Sequence, residues 1–299
     1  MRSRAMLILL FVTAIPVFAV PPTAEVPDRS DGTVLVASFN IKWFARQTQD
    51  LSKIARVVAH FDLCGIVELQ SDDALPRLLQ ALEAETGAEW MYVCSHDTGD
   101  TARYLERYGF IWRTDRIGLA SGFVGNLFQP AGEGTEDRHR HAPYTAFFRA
   151  GEFDFACMLT HTVWTTAARR KREVALLGQE LEALWGRTAE RDLLLMGDFN
   201  YAVSSPAMAA FIEGLGLRCL EPEGVGTTVK ANGAASESAY DHILVSAEAT
   251  GPDWTGRSGA FYFVPSLYAD EEARSKASSE VSDHLPVWAE FHTGLADDD

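Results

Sequence analysis

The segment Leu193-Leu194-Leu195-Met196-Gly197-Asp198-Phe199-Asn200 constrains this chain more than any other. Its apolar run has the length and composition of a strand buried on both faces. Such a strand needs covering layers above and below it, so the chain must build a layered domain around it. The run then stops at Gly-Asp-x-Asn. In an extended chain, residues two apart point the same way, so Asp198 and Asn200 aim a carboxylate and a carboxamide at one spot on the sheet rim. Oxygen donors so placed suit a hard divalent cation, or a phosphate held by one. Taken alone, Asp-x-Asn after a strand is more often an Asx turn. The reading gains weight from matching segments elsewhere.

Further strands are predicted at Thr33 to Asn40, Leu63 to Leu69, Trp90 to Cys94, Tyr104 to Arg113, Gly118 to Asn126, Pro143 to Arg149, Phe153 to His161, Tyr240 to Val245 and Pro286 to His292. Helical spacing marks Leu51 to Phe61, Ala74 to Thr86 and Ala168 to Trp185. Short strands interspersed with helices, without a repeat or an internal break, predict one layered α/β domain over 33–292. An acidic tail follows at 293–299. Residues 1–19 have the form of a secretion signal: Arg2 and Arg4, then the apolar run Met6 to Val20, with Val17-Phe18-Ala19 as a cleavage site. Pro16 interrupts that short run, which favours cleavage over a retained anchor. Residues 20–32 are a polar, Pro-containing linker, and no other stretch is apolar enough to cross a bilayer. The predicted location is therefore secreted or periplasmic, with no stable protein partner implied.

Loss of Arg2 and Arg4 with the signal takes the formal charge from -16 to -18. A surface this acidic argues against tight, non-specific binding of nucleic acid. It leaves phosphodiester chemistry open, provided a bound cation and a local basic rim handle the phosphate. The dense basic run is Arg169-Arg170-Lys171-Arg172. Such runs are more often solvated helix faces, and this one follows His161 closely enough to form the rim. The cysteines Cys64, Cys94, Cys157 and Cys219 include no Cys-x-x-Cys pair, which argues against a thiolate zinc site. Cys64 and Cys157 fit as small core residues; if an exported chain closes a disulfide, Cys64 with Cys94 is the first pairing to test.

Polar residues close several of the predicted strands: Asn40, Glu68, His161, and Asp198 with Asn200. Asp241 opens another strand, and Ser282-Asp283-His284-Leu285-Pro286 precedes the last. In this order the set resembles the endonuclease/exonuclease/phosphatase superfamily, over roughly Val34 to Phe291. The segment Tyr104-Leu105-Glu106-Arg107-Tyr108 is similar to a strand of its deoxyribonuclease-I-like branch. The resemblance implies a four-layer sandwich: two packed, mainly antiparallel β-sheets flanked by helices, with the site at one rim. It implies that Glu106 orients His161 and that Tyr104 lies against a sugar. Glu68 is then the main Mg²⁺ ligand, with Asn40 beside it and Asp283 as a further carboxylate. Mn²⁺ is an alternative ion, and Ca²⁺ a structural or synergistic one. Asp241 orients His284, leaving its other ring nitrogen for proton transfer or a phosphate oxygen. Asp198 and Asn200 position the attacking water.

Two departures stand out. Val67 occupies a place where the family often has Gln. His141 stands two before Pro143 where the family has Arg, leaving Arg140 one position off as a phosphate contact beside Arg169. His242 and His60 are expected to be structural; Trp164 and Trp254 could stack on a base or a lipid, with packing the expectation favoured for both. The expected activity is metal-dependent hydrolysis of DNA. The alternatives are a lipid phosphodiesterase or inositol-phosphate phosphatase on the same fold, or a non-catalytic module.

Overall fold

A computed structural model describes residues 21–25, 27–45, 49–99, 106–121, 124–126 and 138–296. The signal-like segment and Tyr104 lie outside them, as do most of the glycine loop before His141 and the last residues of the acidic tail.

Two sheets form the centre. The first has the order β12-β13-β1-β2-β4-β3, from Trp254–Ala260, Val287–His292, Thr33–Phe44, Leu63–Leu69, Arg107–Arg113 and Trp90–Cys94. The second has the order β10-β11-β9-β8-β7-β5, from Leu217–Cys219, Asp241–Ser246, Leu193–Asp198, Phe153–His161, Tyr144–Ala150 and Gly118–Leu119; β6 (Gly125–Asn126) also pairs with β7. Each sheet has one parallel pair among the described strands, β1 with β2 and β8 with β9, and is otherwise antiparallel. The predicted two-sheet architecture is present.

The apolar strands lie where the sequence demands. Leu193 to Asp198 are all buried, and so are Thr33 to Ile41. Their inner faces meet in a core that includes Phe39, Ile66, Phe110, Leu159, Met196 and Ile243. Gly65 lets the two sheets come close: a Cβ there would come within 2.4 Å of the Leu159 side chain and 2.7 Å of Met196. Helices α1 (Leu51–Val58) and α2 (Ala74–Thr86) cover sheet one through Ile54, Val57, Val58, Leu75, Leu78 and Leu82. Asp50 caps α1, accepting from the Ser52 and Lys53 amides. Helices α3 (Ala167–Trp185) and α4 (Pro206–Gly214) cover sheet two, where Val174, Leu177, Leu181, Leu184, Met208 and Phe211 pack on Met158, Leu195 and Leu244.

The differences from the sequence reading are local. β1 runs on to Phe44, with a register shift beyond Asn40. Gly118 to Asn126 supplies two short edge pieces instead of one strand. The Pro-containing stretch before β1 packs on the domain: Thr23 pairs with Phe261, and the Ser30 amide donates to buried Glu290. All four cysteines are free, so the structure does not contain the Cys64–Cys94 disulfide. Cys64 and Cys157 are core residues. No helix among the described residues is long and apolar enough to cross a membrane.

Candidate active site

Strand register sets one half of the site. His161 pairs with Asp198 across β8 and β9, and Asp198 pairs with Asp241 across β9 and β11. Residues in register on adjacent strands point to the same face, so an imidazole and two carboxylates stand side by side at the end of sheet two. Gly197 makes this possible. Its φ is +142°, and a Cβ would lie 1.9 Å from the Thr160 carbonyl oxygen.

Sheet one supplies the other half by breaking its own regularity. Asn40 pairs with Val67, so Glu68 would ordinarily point to the opposite face. Glu68 instead adopts φ +64°, in the left-handed region, beside register shifts in both pairings of β2. That conformation costs about 1–3 kcal/mol in a residue other than glycine. It brings the Glu68 carboxylate back to Asn40, whose Nδ2 donates to Glu68 Oε1 at 2.9 Å and to Asp198 Oδ2 at 3.2 Å. The other oxygen, Oε2, accepts from the Trp43 amide at 3.0 Å.

Two imidazoles enter this cluster, each held by a carboxylate from the opposite sheet. Glu106, just before β4 of sheet one, bonds His161 Nδ1 at 2.9 Å. Asp241 of sheet two bonds His284 Nδ1 at 2.9 Å, and His284 precedes β13 of sheet one. Both Nε2 atoms then face Asp198 Oδ2, His161 at 3.7 Å and His284 at 3.8 Å; His161 Nε2 also lies 3.8 Å from Glu68 Oε1. Burial opposes a charge on His161, but Glu106, Asp198 and Glu68 outweigh it and hold its pKa up at about 10. Burial likewise opposes the charge on His284, and Asp241 and Asp198 raise it well above the usual range. Burial and the neighbouring Asp241 push Asp198 up to about 6, against the pull of the two imidazoles.

Asn200 completes the loop. Its amide donates to Asp198 Oδ1 at 2.8 Å and its Nδ2 to the Thr162 carbonyl at 2.8 Å. Its φ of +49° is one that Asn tolerates better than most residues. The donor chemistry here fits a hard cation. Glu68 offers a carboxylate, and the Oδ1 of fully buried Asn40 has no hydrogen-bond partner.

Seven predicted residues thus meet: Asn40, Glu68, His161, Asp198, Asn200, Asp241 and His284, with Glu106 behind His161. Asp283 reaches the same rim, but its Oδ2 lies 2.5 Å from Lys42 Nζ, which answers its charge from within the chain. Arg169 turns inward: its Nη2 donates to the Arg138 carbonyl, and its Nε lies 3.5 Å from buried Glu173. The Arg140 amide donates to that same carboxylate at 2.9 Å. Glu173 therefore ties the loop before β7 to the first turn of α3. Trp164 is not packed as expected. It is 69% exposed, on the loop after His161 and beside the basic first turn of α3.

Four further residues shape the site. Tyr108 is buried, accepts the His161 amide at 2.9 Å and donates to the His141 carbonyl at 3.3 Å. His141 stacks on His161 with ring centroids 5.5 Å apart, and its Nε2 lies 3.7 Å from Glu106 Oε2. Burial first, then the charge of His161, press its pKa down to about 3. Thr227 donates to Asp241 Oδ2 at 2.8 Å, and Ser282 donates to the Asn40 carbonyl at 2.7 Å. Tyr108 and His141 lie in segments that the sequence already marks. Thr227 sits in a glycine loop that carries no periodic signal.

Comparison with known proteins finds relatives over most of the chain. The chain is 30% identical over 294 residues to a deoxyribonuclease of Thioalkalivibrio sp. (strain K90mix), covering 92% of this chain and 75% of that protein. It is 25% identical over 274 residues to mouse deoxyribonuclease-1, covering 86% of this chain and 90% of the relative. A mannosyl-6-phosphatase of Bacteroides thetaiotaomicron superposes with a TM-score of 0.56 at 18% identity, covering 86% of this chain and 98% of that one, a likeness of fold alone. Residues 37–284, from the strand that carries Asn40 to His284 itself, match the Endonuclease/Exonuclease/phosphatase family, and the chain belongs to that family.

Proposed function

We propose that the protein is an exported, Mg²⁺-dependent phosphodiesterase that cuts DNA with little sequence preference. The observation that carries this reading is the pair of carboxylate-held imidazoles, His161 with Glu106 and His284 with Asp241, whose free nitrogens converge on Asp198. The deoxyribonuclease relatives support DNA as the substrate.

Glu68 and Asn40 would hold the cation, with Asp283 as a further carboxylate once Lys42 yields it. Bound there, Mg²⁺ supplies positive charge to the oxygens of the scissile phosphate. The chain's own groups then move the protons. One imidazole Nε2 would accept a proton from the attacking water after giving up its own, which at His161 is held by Glu106, Asp198 and Glu68 and which a cation's charge at Glu68 would loosen; the other, as imidazolium, gives one to the leaving oxygen. Glu106 and Asp241 hold the two Nδ1–H groups and so keep each Nε2 aimed inward. Asp198 and Asn200 orient the water. Trp164 offers an exposed aromatic face for a base, beside the first turn of α3, from which Arg170 Nη1 donates to the Trp164 carbonyl.

The test is relaxation of supercoiled plasmid by the purified protein with Mg²⁺, with and without chelator. Metal-dependent nicking is expected. No nicking at any near-neutral pH would overturn the proposal, and phosphocholine release without DNA cleavage would move the site to lipid substrates.

A further inference from the structure

A second cluster of ligating groups lies on the far side of sheet two from Asp241. Cys219 and Leu244 are in register across β10 and β11, and His242 is two residues before Leu244. The three therefore share the face that α3 and α4 cover, whereas Asp241, Ile243 and Val245 point the other way. Glu221, just past the end of β10, folds back so that its carboxylate accepts the Ile243 amide at 3.0 Å. Cys219 Sγ, a Glu221 oxygen and a His242 ring nitrogen all lie within 4.8 Å of one another.

We propose that Cys219, Glu221 and His242 form a binding site for a borderline-soft transition ion, Zn²⁺ by chemistry, distinct from the oxygen-lined catalytic site. Thiolate, carboxylate and imidazole together are the donor set that selects such an ion over Mg²⁺. Three observations converge on it. Cys219 Sγ already sits 3.3 Å from Glu221 Oε2. Bond lengths of about 2.0–2.3 Å put tetrahedral ligands about 3.3–3.8 Å apart, so the trio closes with side-chain shifts near 1 Å. The Tyr201 carbonyl takes the Nε2–H of His242 at 3.1 Å; the Ala239 carbonyl also bonds this ring, and Nδ1 coordinates once the ring yields that contact. A backbone carbonyl on the distal nitrogen is how metal-bound imidazoles are usually oriented. Finally, Glu221 is 6% exposed, and among the described residues no basic side chain pairs with it. Cys219 is only half-buried, on an edge strand, and gives the ion a way in.

The test titrates the full chain with Co²⁺ in excess Mg²⁺, which keeps the oxygen site filled. A near-ultraviolet thiolate-to-cobalt charge-transfer band is expected, displaced by one Zn²⁺ per chain. Cys219→Ala should abolish the band, and Glu221→Gln should weaken Co²⁺ binding at least tenfold, with circular dichroism confirming the fold. Zn²⁺ should also protect Cys219 of the wild-type chain from alkylation, reversibly with chelator, a readout that needs no variant. Absence of the band in wild type, its survival in Cys219→Ala, unchanged affinity in Glu221→Gln, or alkylation of Cys219 at the same rate with and without Zn²⁺ would each overturn the proposal.

Discussion

Replacing Asp241 by Asn isolates the effect of one charge. Asp241 is 1% exposed, and a single oxygen, Oδ2, takes both the His284 Nδ1 bond at 2.9 Å and the Thr227 hydroxyl at 2.8 Å. An Asn whose carbonyl oxygen occupies that position keeps both bonds and removes only the negative charge beneath the imidazole. Hydrogen bonds to charged groups contribute about 1.5–3 kcal/mol and neutral ones about 0.5–1.5, so the difference is about 1–2 kcal/mol. If His284 must carry a proton in the rate-limiting step, that loss lowers kcat about 5- to 30-fold. Asp241→Ala removes both bonds and leaves a buried ring unpartnered; about 3 kcal/mol or more, roughly 150-fold or more, is expected. Thr227→Val keeps the carboxylate and removes one donor, for about 1 kcal/mol and a fall near fivefold. Initial rates of plasmid relaxation at saturating DNA measure all three, with circular dichroism to show that each variant folds. An Asn variant within twofold of wild type would refute the charge argument. Equal losses in the Asn and Ala variants would show that shape, not charge, is what Asp241 supplies.

Gly197→Ala sets a Cβ against the Thr160 carbonyl at a positive φ, and a loss of about 3 kcal/mol or more is expected, seen as a fall in Tm of at least about 6 °C; a Tm within 2 °C of wild type would contradict it. Glu221 binds its proton more tightly folded, with a pKa of about 8, than unfolded at the ordinary carboxylate value. The folded state therefore holds more protons between those two values, and stability falls as pH rises from about 5 to 8. In chelator, Glu221→Gln should remove that contribution, so its Tm advantage over wild type widens across this window; a constant gap would show that Glu221 ionises normally. Trp164→Ala should leave Tm unchanged while raising KM for plasmid, because the ring is largely in solvent; unchanged KM would take Trp164 out of substrate binding.

The site was legible where strand ends carry polar groups. In the sequence Asn40, Glu68, His161 and Asp198 close predicted strands and His284 precedes one, and the alternation of side chains is enough to aim most of them, although β1 runs on past Asn40 to Phe44. Glu68 shows where that logic fails. By alternation from Asn40 and Val67 it faces away, and only a left-handed residue and a bulge return it, neither of which has a sequence mark at a glutamate. Helix α4 carries no periodic mark because only Met208 and Phe211 line its buried face, among small alanines. Strands β10 and β12 carry none because edge strands lack a second covered face, and β12 is Trp-Thr-Gly-Arg-Ser-Gly-Ala, without apolar alternation. Arg169 and Trp164 misled in opposite directions. A guanidinium expected to meet phosphate satisfies local backbone, and an indole expected in the core stands in water.

Each imidazole and the carboxylate that orients it come from different layers and lie 55 and 43 residues apart along the chain. Neither half of the sandwich holds a finished pair. A partly folded chain with only one layer formed would have its imidazoles untethered, and so be chemically silent. Hydrolytic competence should therefore appear in refolding only at the final docking step, with no active fragment on the way. For the DNA-directed activity proposed above, that timing would protect the cell that is still synthesising the protein.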